Sequence, residues 1–137
     1  MAKVIEIQTN KREELIDITE MVSEKISIRE GLVSLFVPHA TAAITINENA
    51  DPNLPKDIIN FLDKLVEKGV WLHDKIDNNA DAHIKSSLIG NFVLIPICNK
   101  KLQLGTWQDI FLCEFDGPRK RRIIINEIPL NDSNEIN

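Results

Sequence analysis

The chain has 137 residues, with 16 basic and 21 acidic side chains and a net charge of −5. That length supports one continuous core, so a single domain over residues 1–137 is expected, and the acidic balance argues against nucleic acid as a partner. No apolar run nears the ~20 residues that span a bilayer, and MAKVIEIQTN lacks the long apolar stretch of a secretion signal, so no membrane partner and a cytoplasmic location are expected.

Val4, Ile5 and Ile7 suggest an opening strand, and Leu15, Ile16 and Ile18 a second after a turn over 10–14. Thr19 is placed to cap a short helix carrying Val22 and Ile26, which Arg29, Glu30 and Gly31 end. Residues 32–37, bounded by Gly31 and Pro38, read as a strand buried on both faces. Over 42–48, Ala42, Ile44 and Ile46 alternate with polar neighbours, which carries Glu48 to the isoleucine side. A turn over 51–55 leads into a helix whose Ile58, Phe61, Leu62 and Leu65 form an apolar stripe, closed by Gly69. A second helix fits 79–89, with Ile84 and Leu88 on its apolar side and Gly90 at its end. The last third reads as strands over 92–97, 102–104, 107–115 and 123–128, with a hairpin-like turn at Asp116, Gly117 and Pro118. Residues 129–137 are a polar tail expected to fray. Strands and helices do not alternate, so the expected class is α+β, with mixed or antiparallel sheets and two to three helices. Cys98 and Cys113 lie in apolar strand runs and read as small, reduced core residues.

Three segments concentrate polar residues in otherwise apolar chain. Around His39 and Thr41, continuing to Asn47 and Glu48, the question is whether Glu48 is a partly desolvated carboxylate suited to proton transfer or simply reaches water. In the second helix, Asn79, His83 and Ser86 fall at i, i+4 and i+7, which suits a cleft wall or an ordinary solvated face. His73 and His83 are ten residues apart, matching no local zinc motif, so any metal site using His39, His73 and His83 must be assembled by the fold. The rival is that His39 and His83 bond phosphate or carboxylate oxygens. In the third segment, Trp107 is core or an aromatic wall over a planar ligand. Arg119 opens the basic run Arg119, Lys120, Arg121, Arg122, a solvated strand entrance or a phosphate site.

Together the stretches HATAAITINENADPNLPKD from His39, NNADAHIKSSLIG from Asn78 and GTWQDIFLCEFDGPRKRR from Gly105 closely resemble the YjbQ family, known also as the secondary thiamine-phosphate synthase family. The similarity runs from about Val4 to Ile128. Ala40 departs from it, since the family often carries threonine or serine there. The resemblance implies a homotrimer with sheets around a threefold axis, a weak thiamine-phosphate synthase activity, and an uncharacterised primary role. It further implies one pocket gathering His39, Glu48, His73, Asn79, His83, Trp107, Gln108 and Arg119. On that basis Glu48, His39 and His83 are the candidate catalytic residues. Thr41, Asn47, Asn79, Lys85, Ser86, Trp107, Gln108 and Arg119 are candidates for contacting a small phosphorylated molecule. A divalent metal, zinc or magnesium, would be held by His39, His73 and His83. Diphosphate departure from a methyl-pyrimidine would suit such a pocket: the histidines, Lys85, Arg119 or the metal would stabilise the leaving group, and Trp107 the cation. The competing expectations are a metal-dependent hydrolase or lyase, and a non-catalytic trimeric binding protein. The chain is too short for the (β/α)₈ barrel of a dedicated synthase.

Overall fold

A computed structural model describes residues 2–130. In chain order the elements are β1 (Lys3–Gln8), β2 (Glu14–Asp17), α1 (Thr19–Ser23), β3 (Gly31–Phe36), β4 (Ala42–Asn47), α2 (Asn53–Leu65), a 3-10 turn (Leu72–Lys75), α3 (Ala80–Ile89), β5 (Phe92–Cys98), β6 (Lys101–Leu102), β7 (Asp109–Glu114) and β8 (Lys120–Pro129). The strands form a five-stranded sheet in the order β1-β8-β3-β5-β6 and a three-stranded sheet in the order β2-β7-β4. Every strand pair is antiparallel. The expected α+β class is therefore realised with antiparallel sheets and three helices.

Strand alternation builds the layers. Ile5, Ile7, Val33, Leu35, Ile95, Ile97, Ile123 and Ile125 of the large sheet meet Ala42, Ile44, Ile110 and Leu112 of the small one in a core between the sheets. Each Val, Leu or Ile among them, fully buried, contributes about 1.5–3 kcal/mol. The opposite face of the small sheet supplies Ala43 and Cys113, which pack with Leu62 of α2 and Ala82 of α3. The small sheet is thus the middle of three layers, and only its ends can carry polar groups into the open.

Several sequence expectations are corrected here. Thr19 does not cap α1 but is its first residue; Asp17 Oδ1 accepts the Thr19 N–H at 2.9 Å, and the helix ends at Ser23, well before Gly31. β3 is buried on one face only, because Leu32, Ser34 and Phe36 belong to the outer side of the large sheet. That outer side is open and apolar: Phe92 is 62% exposed, and Val4, Leu94 and Ile128 are exposed too. Of the α2 stripe, Leu62 is buried and Ile58 half-buried, while Phe61 and Leu65 are exposed. α3 inverts its expected polarity. Leu88 is exposed, and the buried face carries Ala80, Asp81, Ala82, Lys85 and Ser86. A helix can bury charge this way only when opposite charges meet it, as they do below. The turn at Asp116–Pro118 closes no hairpin, since β7 and β8 lie in different sheets and the turn crosses between them. The tail expected to fray lies, beyond Leu130, outside the described residues.

Candidate functional site

One end of the small sheet, where β4 begins and β7 ends, is built on a buried ion pair. Along β7, Glu114 shares the face of Ile110 and Leu112; along β8, Arg121 shares that of Ile123 and Ile125. Both therefore point between the sheets and meet there. The Glu114 carboxylate accepts from Arg121 Nε at 2.9 Å and from Nη2, from Thr9 Oγ1 at 2.7 Å, and from the Asp116 N–H at 3.1 Å. Arg121 Nη2 also donates to Thr41 Oγ1 at 2.8 Å. Both charges are almost wholly buried, and their desolvation is offset by the bonds that Glu114 accepts from Arg121, Thr9 and Asp116 and that Arg121 donates through Nε and Nη2. The pair fixes two pieces of chain at once: Thr41 before β4 and the turn after β7. Gly117 is required in that turn, because a Cβ would collide with the Lys11 carbonyl oxygen.

On this base three distant segments converge. Asp116 accepts from Asn79 Nδ2 at 2.8 Å and from Arg119 Nη2 at 3.0 Å, which ties the start of α3 to the turn. Asp74 in the 3-10 turn accepts from the Ala80 N–H and the Trp71 N–H, each at 3.0 Å. Those two bonds hold its carboxyl below the usual range and seat the 3-10 turn against α3. His73 and His83 are thereby brought edge to face, with ring centroids 4.9 Å apart. His39 Nε2 accepts the Arg122 backbone N–H at 3.0 Å. An N–H can only donate, so Nε2 is unprotonated and neutral His39 carries its hydrogen on Nδ1. Burial, then the charges of Arg121 and Arg122, push the His39 pKa below its ordinary value.

These groups line two adjoining hollows. One, of about 450 Å³, is bounded by Ala40, Thr41, Asp77, Asn79, His83, Asp116 and Arg119. The other, of about 200 Å³, is bounded by His39, Ala40, Ala42, His83, Ser86, Ser87 and Asn91. Ala40 and His83 belong to both. Among the described residues three buried polar atoms have no hydrogen-bond partner: Asn79 Oδ1 and Ser86 Oγ in the lining, and His73 Nε2 beside it. Buried polar atoms are almost always paired, so these are the natural contacts for a ligand or water.

Of the candidate residues, His39, Thr41, Asn79, His83, Ser86 and Arg119 thus share one cleft, with His73 behind His83. The others are elsewhere in the chain. Lys85 is fully buried, bonded to Glu13 at 2.7 Å and to Asp63, with Asp81 at 3.5 Å. Burial works against its ammonium, but the bonds to Asp63 and Glu13 more than offset that and raise its pKa. It is the charge that pins α3 to α2 and to the turn before β2, and it is closed off from solvent. Asn47 and Glu48 lie at the far end of β4, about 20 Å along the strand from Thr41 at ~3.3 Å per residue. Trp107 and Gln108 precede β7 at that same end. Trp107 is 63% exposed, so it is neither core nor walled into a cleft. Gln108 Oε1 accepts the Gly105 N–H at 2.8 Å, and Asn47 Oδ1 the Glu48 N–H at 2.8 Å; both build turns.

The histidines of the expected metal site, His39, His73 and His83, all lie at this end of the small sheet. Among the described residues no group of three His, Cys, Asp or Glu side chains is arranged to hold an ion. His39 has already committed Nε2 to Arg122, and His73 Nε2 is 3.6 Å from Asp77 Oδ2, too far for a bond. A further hollow of about 430 Å³ lies between β2 and α2, lined by residues such as Lys11, Glu14, Asn49 and Lys56. It contains none of the histidines. Local sequence pattern does not pair Glu114 with Arg121, although strand parity turns both inward, and it gives Asp116 no partner beyond its turn.

Comparison with known proteins gives a consistent picture. A family model described as UPF0047 protein YjbQ-like matches residues 3–129. A UPF0047 protein of Methanocaldococcus jannaschii is 52% identical over 126 residues, covering 90% of this chain and 91% of that protein. The UPF0047 protein YugU of Bacillus subtilis is 43% identical over 131 residues, covering 91% and 97%. The crystal structure of a hypothetical protein from Aeropyrum pernix superposes with a TM-score of 0.90 at 36% identity, covering 95% of this chain and 99% of that one.

Proposed function

The chain belongs to the UPF0047 YjbQ-like family, and from that premise we propose that its histidine-lined cleft binds a small phosphorylated molecule and transfers a proton to or from it. The observation that supports this is the sharing of His83 by two adjoining hollows, one of which holds Arg119. Arg119 spends two of its donors on Asp116; Nη1 is left to meet a phosphate oxygen at the mouth, a charge-assisted contact. Among the described residues none hydrogen-bonds the His83 ring, which lines both hollows, so its nitrogens can exchange a proton with bound substrate. His39, held neutral with its hydrogen on Nδ1, would serve as a fixed donor rather than a second base. The chemistry we propose to assay is thiamine-phosphate synthesis, in which the methylene C–O bond of the pyrimidine-methyl diphosphate breaks, the thiazole nitrogen forms the new C–N bond, and diphosphate leaves and exchanges a proton with His83. The protein is incubated with the pyrimidine-methyl diphosphate, the thiazole phosphate and magnesium. Product that falls at least tenfold in His83→Gln and Arg119→Ala supports the reading; equal traces from all three proteins would reject it.

The open apolar side of the large sheet favours self-association, and we propose a homotrimer. Phe36, Phe92, Leu94 and Ile128 are too large an exposed cluster for a sheet left in water. Sedimentation equilibrium reads the mass directly. A monomer that keeps Phe92 exposed would sink the proposal.

A further inference from the structure

We propose that the smaller hollow is a subsite for an uncharged amide-type group, one that carries a hydrogen-bond donor and an acceptor on neighbouring atoms. This rests on the reading of the cleft given above and specifies what the phosphorylated molecule carries at its other end.

The two hollows differ in chemistry. The larger holds Asp77, Asp116 and Arg119. The smaller holds no carboxylate, ammonium or guanidinium: its polar lining is His39, His83, Ser86, Ser87 and Asn91, over a floor of Ala40 and Ala42. His39 is neutral there, because its Nε2 is occupied by the Arg122 N–H. Ser86 is only 7% exposed, and its hydroxyl has no partner. A hydroxyl removed from water and left unbonded is costly, so the site gains most from a ligand that completes it. A carboxylate placed in this hollow would give up part of its hydration and meet no arginine or lysine in the lining, since Arg121 and Arg122 act on it only from behind His39. An amide edge loses little, since a serine hydroxyl can donate or accept and the Asn91 carboxamide offers both groups. The hollow, about 200 Å³, admits a small planar group and not a long chain. His83 lines both hollows, so the bond joining the two ends of the ligand would lie beside it.

The test uses the full chain, with backbone amide shifts followed during titration with benzamide, with its charged isostere benzoate, and with inorganic phosphate. Benzamide is expected to shift Ser86, Ser87 and Asn91 at millimolar concentration, with benzoate binding there at least fivefold more weakly. Ser86→Val should weaken benzamide at least tenfold, and Asn91→Ala, at an exposed position that does not endanger folding, at least threefold. Phosphate shifts at Arg119 without any benzamide shifts at Ser86 would overturn the subsite while leaving the phosphate reading intact. Benzoate binding as tightly as benzamide would also overturn it, by making the hollow an anion site. No shifts with any of the three probes would remove the cleft reading and the subsite with it.

Discussion

The two ends of the three-stranded sheet carry similar polar residues and have opposite fates. At the end where β4 starts, Thr41 meets Arg121, Asp116 meets Asn79 and Arg119, and the 3-10 turn closes the side against α3. At the other end, Asn47 and Gln108 bond backbone in their own turns, and Trp107 lies largely in solvent. The difference is not in the residues but in what else arrives. A polar strand end becomes a cleft when a crossover between sheets and a helix start are pinned beside it. Without them it is a turn.

The largest effect that separates the ends is on stability. Arg121→Ala strands the buried Glu114 carboxylate and should cost about 3–5 kcal/mol, whereas Gln108→Ala removes one exposed turn bond and should cost about 0.5–1.5 kcal/mol. Urea unfolding of both variants makes the comparison. Equal midpoints would mean that the pair does not organise its end.

Next comes activity. Losing a positioned acid or base typically costs about 10²–10⁴-fold, so His83→Gln should lower turnover by about a hundredfold. Glu48→Gln and Trp107→Ala, at the far end, should stay within about twofold of wild type. A tenfold loss in Glu48→Gln would sharpen the comparison differently, by showing that an assembled copy brings its far end to the cleft.

The pH dependence is smaller. His39 titrates below its ordinary value in the folded chain, so the unfolded chain binds more protons and stability rises with pH. Stability is therefore lost as pH falls through about 6.5 toward the folded value. Replacing His39 with asparagine should flatten that stretch of the urea midpoint against pH. Glu127 works at more acid pH. Burial opposes its charge, but Lys3 and the backbone N–H groups of Ile28 and Ser27 overcome that and bring its pKa from 4.5 down to about 2. Its contribution is present above pH 4.5 and is lost as pH falls toward about 2. Glu127→Gln should remove that acid limb.

The smallest effect is chemical. Cys113 is buried on the helix side of the small sheet, and burial pushes its thiol up to about 12. Iodoacetamide at pH 8 should label half-exposed Cys98 first, and Cys113 only on unfolding.

Much of the fold was legible from local pattern. The alternation of Ala42, Ile44 and Ile46, the run from Ile123 and the glycine after Ile89 placed β4, β8 and the end of α3 close to where they lie. What failed was anything set by a distant partner. The polarity of α3 cannot be read from Ile84 and Leu88, because its buried face is decided by Glu13 and Asp63 reaching Lys85 from other elements. The turn at Gly117 has the composition of a hairpin, yet which sheet β8 joins depends on β1 and β3. The cleft was half legible for the same reason. His39, Asn79, His83 and Arg119 stood out as polar residues in apolar chain. Glu48 and Trp107 stood out equally, and nothing local says which end of a sheet a crossover will close.

The most direct test of the cleft is a backbone-amide shift map recorded with pyrophosphate, which carries the phosphate oxygens and none of the heterocycle. Shifts concentrated at Thr41, Asn79, His83 and Arg119 are expected, and they should vanish in Arg119→Ala. Shifts gathered instead at Lys11 and Lys56 in the hollow between β2 and α2, or at no site, would contradict the assignment of phosphate binding to the histidine end of the small sheet.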